Sequence, residues 1–215
     1  MKKIIAINGS PKPRSSASGI LINQTGAILG TTLTVYQATQ LLNQESAAET
    51  LADILKADTL LIVFPLYIDA LPAPLIKVFM LLEQEAVKIE GKLPKVYAIC
   101  NCGFYEAENN RLAFDIIKNF CIRSGLVWGY GIGIGAGGSL HSPYKDMSQG
   151  PLANIYAALS ELVKSMQEHS SLKQNLFLTA EIPRSEYLLD ANKAWEEVAE
   201  KYGQQTSLRA RPHIR

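Results

Sequence analysis

The sequence contains no run of about 18 uninterrupted apolar residues, the length a helix needs to cross a bilayer. Lys2 and Lys3 lead straight into a strand-like run with no cleavable signal behind them, so the chain reads as cytosolic, with no membrane partner. Charge of one sign is also missing. Lys and Arg number 21 against 20 Asp and Glu, a net charge of +1 that gives no general field for nucleic acid. The one basic cluster, Arg209, Arg211 and Arg215, reads as a frayed tail. Cysteine is scarce: Cys100, Cys102 and Cys121 are odd in number and lie in or beside apolar segments, which fits reduced, buried thiols better than disulfides. Cys100 and Cys102 have no further Cys or His at ligand spacing, so a metal site is not expected. His141, His169 and His213 are scattered and form no acid–base constellation with a carboxylate. Neither G-x-x-x-x-G-K-[ST] nor, after the first strand, G-x-G-x-x-G occurs.

What is present is 47% hydrophobic content over 215 residues, enough for one substantial α/β domain with an extension. Strand-like runs at 3–8, 32–38, 59–64, 95–101 and 127–136 alternate with helix-period segments at 18–29, 46–57, 74–85, 107–124 and 151–168. The run LLIVF (60–64) lacks polar alternation, which implies burial on both faces and a parallel sheet covered by helices on both sides. Ser18 reads as an N-cap, Ser46 with Glu49 as a capping box, and Pro74 and Pro151 as first-turn residues. Leu152, Ile155, Tyr156, Leu159, Leu162, Val163 and Met166 keep helical spacing and read as core.

The segment IIAINGSPKPRSSAS (4–18) runs from a buried strand through a Gly/Ser/basic loop into a helix, an arrangement that builds an anion site. Gly9 permits a tight turn, the following N–H groups can face a phosphate, and Ser10, Ser16 and Ser18 add hydroxyls. Lys12 and Arg14 either add charge to that phosphate or are solvated. Gly9, Ser10, Lys12 or Arg14, Ser16 and Ser18 together resemble the phosphate loop of flavodoxin-like NAD(P)H-dependent FMN reductases, close to G-S-x-R/K-x-x-S-x-S/T. Ala17 stands where that family often has Asn, but its N–H is still available.

The resemblance implies a flavodoxin-like three-layer sandwich with a five-stranded parallel sheet of order 2-1-3-4-5 and ligands beyond the carboxyl ends of the strands. A receiver-type domain is disfavoured, because the third strand ends in Phe64 and Pro65 without an acidic phosphoacceptor. The loop FPLYIDALPAPL carries stiffening Pro65, Pro72 and Pro74, with Leu66, Tyr67, Ile68 and Leu71 as apolar groups outside the sheet. With Lys77 it is similar to the flavin-ring loop of these reductases, which implies that Pro65, Leu66, Tyr67 and Ile68 line the isoalloxazine and that Tyr67 stacks on it or forms the mouth. Packing of the same residues against a partner subunit is the alternative, and both can hold. In NCGFYEAEN, Asn101 can bond the pyrimidine edge of a flavin, Gly103 lets the backbone approach, and Phe104 or Tyr105 can cover the ring. Glu106 begins the next helix.

Gly133, Gly135 and Gly138 form a formal G-x-G-x-x-G, but a polar loop through Pro143 follows instead of a helix. Alternation of Tyr130, Ile132 and Ile134 with glycines reads as a strand with one bare face. Loop 137–150, with Ser139, His141, Ser142 and Tyr144, is long enough to rim a nicotinamide or substrate pocket. After the short run NLFLTAEIP comes a helix from Ser185 to Lys201 with Tyr187, Leu188, Ala191, Trp195 and Val198. Its I-P-R-x-x-Y-x-L-x-A-N-x-x-W pattern resembles a C-terminal extension of some bacterial flavodoxin-like oxidoreductases. The expected organisation is a flavodoxin-like FMN-binding domain over 1–170 and an extension over 171–215 that packs on the domain or on a partner.

The resemblance implies an FMN-dependent oxidoreductase in which NADPH or NADH is the co-substrate, a quinone, nitro or azo compound or flavin is the acceptor, and no side chain is catalytic. A homodimer or larger homo-oligomer accompanies it. A flavin-bearing electron carrier or redox sensor is the alternative, disfavoured because dedicated carriers tend to be short and strongly acidic. A flavodoxin-like fold used only for protein interaction is a third.

Overall fold

The computed structural model describes residues 2–12, 15–43, 47–141 and 146–204. The expectations for Arg14, the Ser46 cap, Ser142, Pro143, Tyr144, His213 and the terminal arginines concern residues outside that set. The chain divides into two compact units, Met1–Glu181 and Ile182–Arg215.

The first unit is built on parallel strands β1 (Ile4–Asn8), β2 (Thr34–Gln37), β3 (Thr59–Pro65), β4 (Lys95–Asn101), β5 (Val127–Gly135) and β6 (Leu176–Thr179). Their order is β2-β1-β3-β4-β5-β6, six strands where five were expected. The extra one is LFLT, which pairs in parallel with β5 from Ile132↔Leu176 to Gly135↔Thr179. At four residues, all half-buried, it is too short to show a period. The order reverses between β1 and β3, so the loops after those strands diverge to opposite faces and leave a crevice.

Alternation along β3 explains the layers: Leu60, Ile62 and Phe64 join one core with α3 (Ala47–Leu55), α4 (Ala73–Ala86) and α5 (Arg111–Ser124), while Leu61 and Val63 point the other way. There α1 (Ala17–Leu29) and α6 (Ala153–Glu168) cover the sheet with Leu21, Ile22, Ile155, Leu159 and Leu162. A four-residue helix, α2 (Ala38–Leu41), follows β2 and was not expected. The α1 cap is Ser16, not Ser18: Ser16 has extended backbone and its Oγ accepts the Gly19 N–H, which leaves Ser18 inside the first turn. The second unit contains α7 (Arg184–Lys201), opened by Pro183. Among the described residues, no helix is long and apolar enough to cross a membrane.

The bare face of β5 is where helix and strand meet most closely. A Cβ on Gly131 would lie 2.6 Å from the Phe114 ring of α5, and one on Gly133 would lie 2.7 Å from Phe177 of β6. The glycines therefore serve packing, and a 3-10 turn over Gly137–His141 follows the strand instead of a helix that could hold a dinucleotide. Gly131→Ala is expected to destabilise the protein by about 1–3 kcal/mol in a urea melt, because Phe114 must leave its rotamer.

Candidate functional site

At the carboxyl end of β1 the side chain of Asn8 folds back so that Oδ1 accepts the Ser10 N–H at 3.0 Å. Ser10 Oγ then accepts the Lys12 N–H at 3.3 Å, and these two side-chain turns shape the loop. Gly9 donates to Val63 O at 2.8 Å. A Cβ there would lie 2.7 Å from Leu75 Cδ2 and 2.8 Å from Phe64 Cβ, so glycine is required by contact with the core. Ser15 has φ 48°, a left-handed bend that turns the chain into α1. Among the described residues, the N–H groups of Ala17 and Ser18 have no acceptor, and the first turn of α1 holds no acidic residue. Two free donors and an uncompensated helix dipole make this end of α1 suited to an anion.

Asn101, the last residue of β4, is 5% exposed. Its Nδ2 donates to Phe64 O at 3.1 Å and to Ser18 Oγ at 3.3 Å, and its backbone O accepts the Leu66 N–H at 2.8 Å. One amide thus ties the starts of the loops after β3 and β4 to the first turn of α1. Both of its N–H bonds stay within the protein, so Asn101 positions the rim, and only its Oδ1 can address a ligand.

Beyond Pro65 the loop divides its apolar residues. Leu66 and Leu71 belong to the core, whereas Tyr67 is partly exposed and Ile68 is 96% exposed. Tyr67 and Ala70 exchange two backbone hydrogen bonds, of 2.9 and 3.1 Å, across Ile68 (φ 49°) and Asp69 (φ 59°). Positive φ at both central positions marks a type I′ turn, which favours Asn-Gly and penalises a β-branched residue. Ile68 thus combines a strained backbone with a side chain that gains no burial within the chain. After β4, Gly103 and Phe104 are exposed. Phe104 O accepts from Ala136 N–H and Cys102 O accepts from Gly137 N–H at 2.8 Å, which staples the turn after β5 to the same rim.

Asn8 was missed as a rim element, whereas the Gly137–His141 turn falls within the loop 137–150 expected to rim a pocket. The Asn-Gly-Ser triplet was a legible signal for the first, since Asn favours such side-chain turns. Burial pushes the Cys100 and Cys102 thiols up and the Cys121 thiol up to about 12, so all three are neutral. Among the described residues, no group of His, Cys, Asp or Glu could hold a metal ion.

Asn101→Leu is expected to cost about 1–3 kcal/mol in chemical denaturation, since it removes the amide's bonds to Phe64 O and to Ser18 Oγ in a buried place. Ile68→Asn is expected to raise the stability of the unliganded protein by about 1 kcal/mol in a thermal melt, because Asn tolerates the left-handed conformation and no burial is lost.

No protein-family model matches the chain, and no curated protein matches it in sequence. Its structure is similar to that of a rubredoxin oxygen:oxidoreductase from the anaerobe Desulfovibrio gigas, with 7% identity and TM-score 0.53 over 79% of this chain and 36% of that one. This chain thus spans little more than a third of that longer protein. An NADH:FMN oxidoreductase in its apo form has 15% identity and TM-score 0.57, covering 86% of this chain and 98% of that chain. An NADPH-quinone reductase from P. pentosaceus has 14% identity and TM-score 0.53, covering 76% and 98%. At such identities what is shared is the architecture: this is a flavodoxin-like α/β fold.

Proposed function

We propose that the protein is an FMN-dependent NAD(P)H oxidoreductase. The observation that carries this reading is the Asn101 amide, which holds an anion-ready helix start beside the two loops that carry exposed Tyr67, Ile68 and Phe104. A phosphate on one side and a flat apolar body on the other describe a flavin mononucleotide. Structures of proteins named as FMN and quinone reductases share the fold, which supports the same reading.

The unpaired N–H groups of Ala17 and Ser18 fit the phosphate, with the hydroxyls of Ser10 and Ser16, the Lys12 ammonium and, from its place in the sequence, Arg14 around it. Hydroxyls that already accept one hydrogen bond still carry a proton to donate. Pro65 to Ile68, with Gly103 and Phe104, form the wall for the ring and exclude water from one side of it. Bound there, FMN would supply the redox chemistry, taking hydride from NADH or NADPH and passing electrons to a quinone, nitro or azo compound or another flavin. The chain need supply no acid or base. His169 lies at the other end of the sheet, where its carbonyl accepts from Lys95 Nζ at 2.6 Å. A homodimer belongs to this reading, since the partner would cover Ile68 and Phe104.

Incubation with FMN is expected to give two visible absorption bands from bound flavin, bleached by NADPH and restored by a quinone. Ser10→Ala with Ser16→Ala is expected to weaken FMN about 10- to 100-fold in a fluorescence titration, as lost charge-assisted hydrogen bonds do. A colourless protein with no FMN uptake overturns the reading; bound FMN without NAD(P)H turnover makes it an electron carrier.

A further inference from the structure

One long stretch of the sequence carries no charge. From Ser15 to Asn43, twenty-nine residues that include α1, β2 and α2, no Lys, Arg, Asp, Glu or His occurs, in a chain whose charged content is 19%. The other helices, α3 to α7, all carry charged side chains. Nor is this an interior segment: twenty of the twenty-nine residues are half-buried or exposed, among them Asn23, Thr32, Thr34, Val35 and Gln40. A standard protein–protein interface takes roughly 20–30 residues a side. Surface made of amides, hydroxyls and aliphatic groups without charge has the composition of the centre of such an interface.

Within this stretch, β2 lies at the edge of the sheet and pairs with β1 alone, in a regular register from Ile5↔Thr34 to Asn8↔Gln37. Alternate backbone N–H and C=O groups therefore face outward with no strand beside them. Edges of this kind are ordinarily protected by lysine, proline, a bulge or a covering helix. The first three are absent from β2, and α1 packs mainly over β1, β3 and β4. Clefts of about 480 and 310 Å³ lie between α1 and Val35, which is 39% exposed. Leu33, Val35 and Gln37 line these clefts on the α1 side, whereas Tyr36 packs against the core on the opposite face.

We infer that β2 pairs antiparallel with β2 of a second copy, so that two sheets join into one across a twofold axis. Charge and symmetry select this occupant. An uncharged edge meets its own twin without the repulsion that like charges directly opposite would bring, and a twofold contact uses the same patch on both sides. A twofold axis normal to the sheet returns each face to itself, so Val35 lies opposite a residue on the α1 side. Centred on the strand, the axis sets Val35 against Val35 of the second copy and Thr34 against Tyr36 of that copy, a β-branched–aromatic pair. The two α1 helices then flank the seam on one face, and their clefts open on each other. This seam is separate from the rim that carries Tyr67, Ile68 and Phe104, and it does not rest on the flavin reading.

Val35→Lys sets two ammonium groups against each other in the seam. In sedimentation velocity its assembly is expected to have half the mass of the wild type's, whether the wild type is a dimer or, with a second interface at the rim, a tetramer. Far-UV circular dichroism is expected to show the fold retained, since Val35 is partly exposed within one chain. Val35→Cys keeps the edge uncharged, and under mild oxidation it is expected to give a disulfide-linked dimer on a non-reducing gel, because directly opposed Cα atoms lie about 4.5–5.5 Å apart, within disulfide reach. Thr34→Cys is the register control: Thr34 and its twin lie on a diagonal more than about 7 Å apart and are not expected to link. Wild type, whose Cys100, Cys102 and Cys121 are buried, is expected to stay unlinked. If V35K does not fold, V35C and T34C decide alone. A single-chain mass for the wild type, an assembly that folded V35K leaves intact, a V35C protein that does not link, or linkage through T34C in place of V35C overturns the seam, and leaves the edge to an extended segment of a different protein.

Discussion

The hydrogen bonds from Asn101 Nδ2 to Phe64 O and Ser18 Oγ hold the rim together. Parallel strands bring their carboxyl ends to one side of a sheet but do not by themselves fix the loops that leave them. In this chain a buried amide at the end of β4 reaches the neighbouring strand and the first turn of α1 at once. Its backbone carbonyl also anchors Leu66, so the loop carrying Tyr67 and Ile68 leaves β3 in a direction set by β4. A polar group buried this deeply must be satisfied, and that requirement makes the arrangement specific. Cys102 O and Phe104 O extend the same logic to the turn after β5.

Beneath the rim, the sheet continues past its fifth strand, and the bare face of β5 gives aromatic rings room on both sides of that join. Phe114 and Phe177 occupy the space above Gly131 and Gly133, with ring centroids 5.9 Å apart. Asn175 Oδ1 accepts the Gly131 N–H at 2.9 Å just before β6 begins. Thr179 Oγ1, at the far end of β6, donates to Tyr105 O at 2.8 Å, so the added strand is fastened to the loop after β4 as well as to the ladder. Loop and extra strand therefore form one mechanical unit.

Much of this was legible in the residues. Runs apolar on both faces announced a covered parallel sheet, and the glycine alternation of β5 announced its bare face. The serine-rich loop gave the place of the helix start, yet Ser16 and Ser18 exchanged roles, since each is compatible with a cap and only the path of residue 15 at positive φ decides between them. Leu66 and Leu71 illustrate another limit: proximity in sequence to Tyr67 and Ile68 carries no information about which side chains a tight turn sends inward. Asn101 was legible as a rim residue, but not as a tie, because its partners lie 37 and 83 residues away. β6 was hidden by its brevity.

Gly9 joins two parts of the molecule that are usually considered apart. Its α-carbon lies against Leu75 and Phe64, so the height of the serine-rich loop above the sheet is set by the girth of side chains in the hydrophobic interior. Interior residues facing this glycine therefore do two things at once: they fill space and they set the level of the loop's backbone donors. Variation there would move those donors without changing any of them.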